Sequence, residues 1–220
     1  MTIDKNNATI ISTIKNIKKK GTDFMATTNN NSFLDCEFFE LNGKDTFMKV
    51  KGNAFGIGKV QFAFVKFDKE TTKLIESMEV YMDMDDALVL AHDILSGRIS
   101  TLAEVEKKKG EKFPAAVWTS PLGGVNEDKA KEKYGRTDGK AISRTFTISP
   151  GSAMPFVFTS MLRPGHTNDM GAIIPEGKPE ITIRVPGDAQ SLKKMAVAIQ
   201  SHINAYRCSQ FVNREFDVKR

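Results

Sequence analysis

The chain has 220 residues, 40% of them hydrophobic and 27% charged, with a formal net charge of +5. That is enough apolar material for one ordinary globular domain or two small ones. No apolar run approaches the roughly 20 residues of a membrane-spanning helix. Cys36 and Cys208 are too far apart in a two-cysteine chain to build a disulfide framework or a CxxC site. The expectation is a soluble, cytoplasmic protein without membrane association.

The charge is uneven along the chain: +4 over residues 1–20, −6 over 21–97, +3 over 98–140, and +2 each over 141–206 and 207–220. Partners respond to local patches and not to the formal sum, so the basicity is assigned to tails and linker. Residues 1–31, which carry Lys15, Lys18, Lys19 and Lys20 and end in a Thr/Asn run, read as a flexible basic tail.

From residue 32 an order of elements occurs twice. Ser32–Leu41 reads as a first strand, and Phe47–Gly52, Val60–Phe67 and Met78–Met82 are strands by period-2 alternation and β-branched or aromatic content. Asp85 and Asp86 then provide an acidic first turn, with Asp83 beside them, to a helix whose stripe is Met84, Ala87, Leu88, Ala91 and Leu95, ended by Gly97. Residues 98–140 form a linker. In it Ser100–Glu104 resembles a capping box opening a short helix, Ala115–Thr119 is a possible extra strand carrying Trp118, and Asn126–Lys140 reads as a loop.

The second half repeats the order over residues 141–206. Phe146–Gly151, Phe156–Leu162 and Ile181–Val185 are strands, and Ala172–Ile174 reads as the fourth. Asp188 stands as N-cap of a helix with Leu192, Met195, Ala196, Ile199, Ile203 and Tyr206 on one stripe. Residues 207–220 form a C-terminal tail. The predicted fold class is α+β: a tandem ββββα repeat giving two antiparallel sheets braced by two helices, both repeats within one domain.

Chemistry of the enzymatic kind is sparse. His92, His166 and His202 are isolated, no His or Cys spacing suits zinc, and no GxSxG elbow is present. The run Gly52–Val60 departs from a phosphate loop in spacing, has Val60 where a hydroxyl would hold magnesium, and precedes a strand. A glycine-rich turn or bulge explains it. Asp83, Asp85 and Asp86 lack EF-hand spacing and are explained as helix-terminal carboxylates. No metal, cofactor or catalytic residue is expected. An enzyme using one of those aspartates with His92 ranks third among three readings.

What remains is a pattern of cations among aromatics on strands. Lys49, Lys51, Lys59 and Lys66 alternate with phenylalanines in the first half, with Asn53, Phe55 and Gln61 between them, and Arg144, Arg163 and Arg184 accompany Phe156 in the second. Cations for phosphates and ring faces for unstacked bases are what a single strand requires. Most of the 15 Phe must nevertheless be core, and outward lysines also protect strand edges from aggregation.

The doubled unit, with Lys51-Gly52-Asn53-Ala54-Phe55-Gly56 at its first hairpin, resembles the Whirly-type single-stranded-DNA-binding fold, whose plant motif is Lys-Gly-Lys-Ala-Ala-Leu. That superfamily also includes single-repeat transcriptional coactivators and trypanosome mitochondrial guide-RNA-binding proteins. The resemblance spans roughly residues 32–206 at the level of architecture, and in the motif Lys51, Gly52 and Ala54 are kept. It implies two packed sheets, helices that assemble a homo-oligomer, and binding of single-stranded nucleic acid, DNA ahead of RNA, with low sequence specificity and without catalysis. Lys51 would lie in the motif that supports assembly and strand binding. The alternative is an oligomeric structural or protein-interaction module with no nucleic-acid ligand.

Overall fold

A computed structural model describes residues 36–212. The predicted tail over residues 1–31, the start of the first strand at Ser32, and residues 213–220 lie outside the described residues.

Alternation builds the first sheet. Strands β1 (Glu37–Asn42), β2 (Thr46–Lys51), β3 (Lys59–Phe67) and β4 (Leu74–Asp83) form an antiparallel meander in sequence order. The register sets Met48 beside Phe64 and Phe64 beside Met78, and likewise Val50 beside Phe62 and Phe62 beside Val80. All six are buried, so on β2, β3 and β4 even-numbered positions line the core and odd-numbered ones face away, while on β1 Phe39 and Leu41 take the inward parity. Between β2 and β3 the glycine-rich run closes as one turn of 3-10 helix over Phe55–Ile57, stopped by Gly58 in the left-handed region at φ 74°.

The second sheet runs in the order β10-β8-β7-β5, from β5 (Trp118–Thr119), β7 (Ala141–Pro150), β8 (Phe156–Thr167) and β10 (Ile181–Gly187). Short strand β6 (Gly124–Val125) also pairs with β7, and β9 (Ile173–Pro175) pairs with the far end of β8. The fourth strands expected of the two halves are therefore not equivalent. β1 flanks β2, whereas β9 extends β8, and the place beside β7 is filled by β5 and β6 from the supposed linker.

Inner faces of the two sheets meet on aromatic side chains. The Phe146 ring lies 5.1 Å from Phe62, 5.4 Å from Phe64 and 5.3 Å from Trp118, and all three phenylalanines are fully buried. Each contributes roughly 1.5–3 kcal/mol by leaving water. Polar links fix the sheets against sliding: Thr46 Oγ1 donates to the Arg184 carbonyl at 2.9 Å, and Arg144 Nη1 donates to the Glu79 carbonyl at 3.3 Å.

Four helices are described: α1 (Met84–Leu95), α2 (Arg98–Lys108), α3 (Glu127–Tyr134) and α4 (Ala189–Val212). α1 packs along α4, α4 also covers β1, and α2 packs on β7. The α4 stripe is buried from Leu192 to Ile203 as the periodicity predicts, and Asp188 caps the helix by accepting from the Ser191 amide at 2.5 Å.

Several expectations are corrected. In α1 the buried face is Met84, Ala87, Leu90, Ala91 and Ile94, while Leu95 is exposed, because the helix turns against α4 and not squarely onto a sheet. The capping box does not form: α2 starts at Arg98, and Gly97 at φ 84° ends α1 and begins α2 in one left-handed residue. Asn126–Lys140 is not all loop. Asn126 accepts from the Lys129 amide at 3.1 Å, Glu127 and Asp128 occupy the first turn, and Gly135 stops α3 at φ 65°. The supposed tail from residue 207 is helical as far as Val212, and Arg207 on it reaches Asp85 at 2.6 Å.

Candidate nucleic-acid interface

On the first sheet the predicted lysines do share one face, and they share it with carboxylates. A bulge at Phe38 places Glu37 opposite Lys51 and Glu40 opposite Lys49. Lys49 Nζ sits 2.7 Å from Glu37 and 3.3 Å from Glu40, and Lys51 Nζ sits 2.8 Å from Glu37. Partial burial would raise the Glu37 carboxyl, but the two lysines outweigh it and hold the group below its ordinary value. Lys49 is raised for the same reason: burial opposes its charge, and its two glutamates overcome that. Lys59 is in register with Asp83 and pairs with it at 2.8 Å. Gln61, between Lys51 and Tyr81 in register, is buried.

The outer face of the second sheet is built differently. Odd positions of β7 and β8 and even positions of β10 turn away from the first sheet, which brings Thr147, Thr159 and Arg184 into one row and Thr145, Met161 and Thr182 into the next; Arg184 is exposed and Met161 and Thr182 are half-buried, while Thr145, Thr147 and Thr159 are buried. Neither row holds a carboxylate. Arg163, opposite Ser143, belongs to the same face; its Nη2 contacts the Met161 sulfur at 3.4 Å, and its buried Nε has no hydrogen-bond partner. At the far end Glu180 is committed to Arg136 at 2.6 Å.

The other predicted residues separate from these faces. Phe55 and Phe156 are buried, and the Phe55 ring packs 5.2 Å from Tyr206, so neither ring is presented to solvent. Asn53 is exposed in the turn after β2. Lys66 has the inward parity of β3 but lies beyond the core, between Thr46 and Glu76.

Arg144 lines a cavity of about 320 Å³ at the junction of the sheets. One wall is β4 and the start of α1, including Tyr81, Asp83 and Asp86, and the opposite wall is the loop of Gly123 and Gly124 with residues 171–173. The Arg144 guanidinium lies over the Tyr134 ring at 5.1 Å. Its Nε is buried with no hydrogen-bond partner. The Tyr81 hydroxyl donates to Glu79 at 2.8 Å, and burial together with that carboxylate pushes the phenol up. Gly124 is required here: at φ 152° a Cβ would stand 1.9 Å from the Ile142 carbonyl oxygen.

This cavity escaped the sequence because its walls come from segments as far apart as Lys59 and Ile173. The only local signals were Gly123-Gly124 and Gly171, which read equally well as turns. The aspartates at the α1 terminus do not cap it through their side chains: Asp83 turns to Lys59 and Asp85 to Arg207. His92, the partner considered for an enzymatic site, does not line the cavity.

Among the described residues no three His, Cys, Asp or Glu side chains converge as metal ligands, and no helix is long and apolar enough to cross a membrane. No protein-family model matches the chain, and no curated protein matches it in sequence.

Proposed function

We propose that the protein binds single-stranded nucleic acid, DNA ahead of RNA, without catalysis and with low sequence specificity, on the outer face of its second sheet. The observation that carries this is the exposed Arg184 with the half-buried Arg163, set on a face whose rows, Thr147-Thr159-Arg184 and Thr145-Met161-Thr182, hold no carboxylate. Guanidinium groups donate to phosphate oxygens, and the half-buried Thr182 hydroxyl lies beside Arg184 on the same strand. Further support comes from topology. β2-β3-β4 and β7-β8-β10 are both antiparallel meanders leading into a helix, the part of a duplicated Whirly-like unit that the two halves share.

Assembly into a homo-oligomer belongs to the same proposal. Val89 on α1, Val105 on α2 and Val197 on α4 are each more than half exposed, and apolar surface on helices is a common seat of self-association. The competing reading, an interaction module without a nucleic-acid ligand, draws on these same valines.

Fluorescence anisotropy separates the two. Fluorescein-labelled 30-mers of single-stranded DNA and RNA are titrated against a duplex of equal length at two salt concentrations. Single-strand binding that weakens with salt, by a slope of about 0.7 per phosphate neutralised, supports the proposal. Preference for duplex, a flat salt dependence, or no binding at low salt overturns it and leaves the interaction module.

A further inference from the structure

The loop between α2 and β5 carries Phe113, whose side chain is 81% exposed. Both ends of that loop are fixed. Gly110, in the left-handed region at φ 71°, closes α2 by donating its amide to the Lys107 carbonyl at 3.1 Å, and Val117 joins the second sheet by donating to the Ile148 carbonyl at 2.9 Å. Between them one buried carboxylate draws the loop together: Glu106 accepts from the Ala115 amide at 3.1 Å and from the Lys109 ammonium at 2.5 Å. The tip, residues 110–114, is thus held out from the body on a clamped base.

A single exposed ring is ordinary by itself; the setting of this one is not. Lys109 is engaged by Glu106, whereas Lys107, Lys108 and Lys112 are exposed and have no ion-pair partner among the described residues. Glu111 is the one acidic residue from 107 to 116. Lys112 Nζ lies over the Phe113 ring at 5.5 Å, which leaves the opposite ring face open. Cations around a ring match two macromolecules that present phosphate beside apolar surface: a single strand and an anionic membrane. The number of rings chooses between them. Seating on a membrane takes an apolar helix face or two anchoring signals, and this loop has one ring, which is what one unstacked base requires.

We propose that this loop is a base-stacking finger for a bound single strand. Phe113 takes the face of one unpaired base, and Lys107, Lys108 and Lys112 take phosphates on either side of it. The inference rests on the single-strand reading of the second sheet and deepens it: β5, into which the loop runs, is an edge strand of that sheet, so the finger is a second subsite beyond the face that carries Arg184. Bases in a duplex are already stacked on both faces and have none to offer the ring. The finger therefore adds discrimination against duplex that cations alone do not supply.

The test uses the full chain and fluorescein-dT20, followed by anisotropy. Phe113→Ala weakens binding roughly fivefold to a hundredfold, the range of one base–aromatic stack, and leaves the salt slope unchanged because no phosphate contact is lost. Lys107→Ala with Lys108→Ala and Lys112→Ala lowers the slope by up to about 2.1, about 0.7 for each phosphate. An abasic strand with the same phosphates binds the native chain and Phe113→Ala alike. Phe113→Trp restores a ring and reports on it: dT20 quenches the added fluorescence beyond any change of Trp118, the one native tryptophan. Thermal unfolding at the native temperature shows that the variants fold. If the native chain binds dT20 while Phe113→Ala binds it equally well, or the added indole is not quenched, the finger is overturned and the strand-binding face stands. If the native chain does not bind dT20 at low salt, the reading of the sheet fails and the finger with it. Sedimentation with phosphatidylserine vesicles that depends on Phe113, with dT20 binding indifferent to it, overturns the finger in favour of a membrane contact.

Discussion

Outward positions of the first sheet alternate lysine with glutamate across neighbouring strands, while those of the second set arginine against threonine. Lys49 and Lys51 have three contacts to Glu37 and Glu40 within 3.3 Å, whereas Arg184 shares its row with Thr147 and Thr159. Cations are thus available on one face and already neutralised on the other. A basic residue on a strand shows nothing about anion binding until its cross-strand neighbour is known, because the pair and not the residue sets the local field.

The coarsest way to break the comparison is to remove what holds the faces apart. Phe146 is fully buried and contacts Phe62 and Phe64 across the interface and Trp118 within its own sheet. Phe146→Ala is expected to cost about 3–5 kcal/mol, by lost transfer energy and the cavity left behind. Urea denaturation measures it. A loss below about 1 kcal/mol would mean that the sheets are not joined through this ring.

Binding should then divide the faces. Arg163→Ala combined with Arg184→Ala is expected to lower the single-strand salt slope by about 1.4, two phosphates at about 0.7 each, and to weaken affinity alike across sequences. Lys49→Ala with Lys51→Ala removes the same formal charge from side chains already engaged, so the slope changes less. Equal slopes for the two double variants would show the faces to be equivalent and sink the distinction.

The converse experiment converts one face into the other. Glu37 contacts both Lys49 and Lys51, so Glu37→Gln frees Lys51 and leaves Lys49 to Glu40 alone. If a strand passes near the first sheet, affinity rises and the salt slope steepens by about 0.7, one phosphate. An unchanged isotherm confines the strand to the second sheet.

Much of the fold was legible because alternation and helical periodicity are local. Phe62, Phe64, Phe146 and Phe158 fall on the inward parity their strands predict, and the α4 stripe is buried from Leu192 to Ile203. The helix α3 was also written locally, in an Asn cap, acidic first turn and Gly stop, but the mixed charges of residues 126–140 masked it. Tertiary placement was not legible. Nothing within a few residues of Leu90 or Ile94 states that α1 would turn toward α4, and the inward Phe55 looks in sequence like the outward Phe47. For the candidate site the decisive information was register. The bulge at Phe38 brings Glu37 opposite Lys51, and no spacing within either strand shows it.

The same pairs give the smallest effect and the sharpest shape. Glu37 titrates below its ordinary 4.5 and Lys49 above its ordinary 10.5. A depressed carboxyl contributes stability that is complete above the unfolded value and is lost as pH falls through the folded one; a raised amine contributes stability that is complete below its unfolded value and is lost as pH rises through the folded one. The difference in unfolding free energy between the native chain and Glu37→Gln should therefore be a plateau between about pH 5 and pH 10, falling on both sides. Its height is about 1 kcal/mol or less, since both side chains remain partly in water. On the second sheet, Arg184→Gln should show no such plateau, because no carboxylate in its row titrates against it. Urea titrations of both variants at pH 3, 7 and 11 measure the contrast, and a flat difference for Glu37→Gln would mean that the glutamate and its two lysines are not paired in solution.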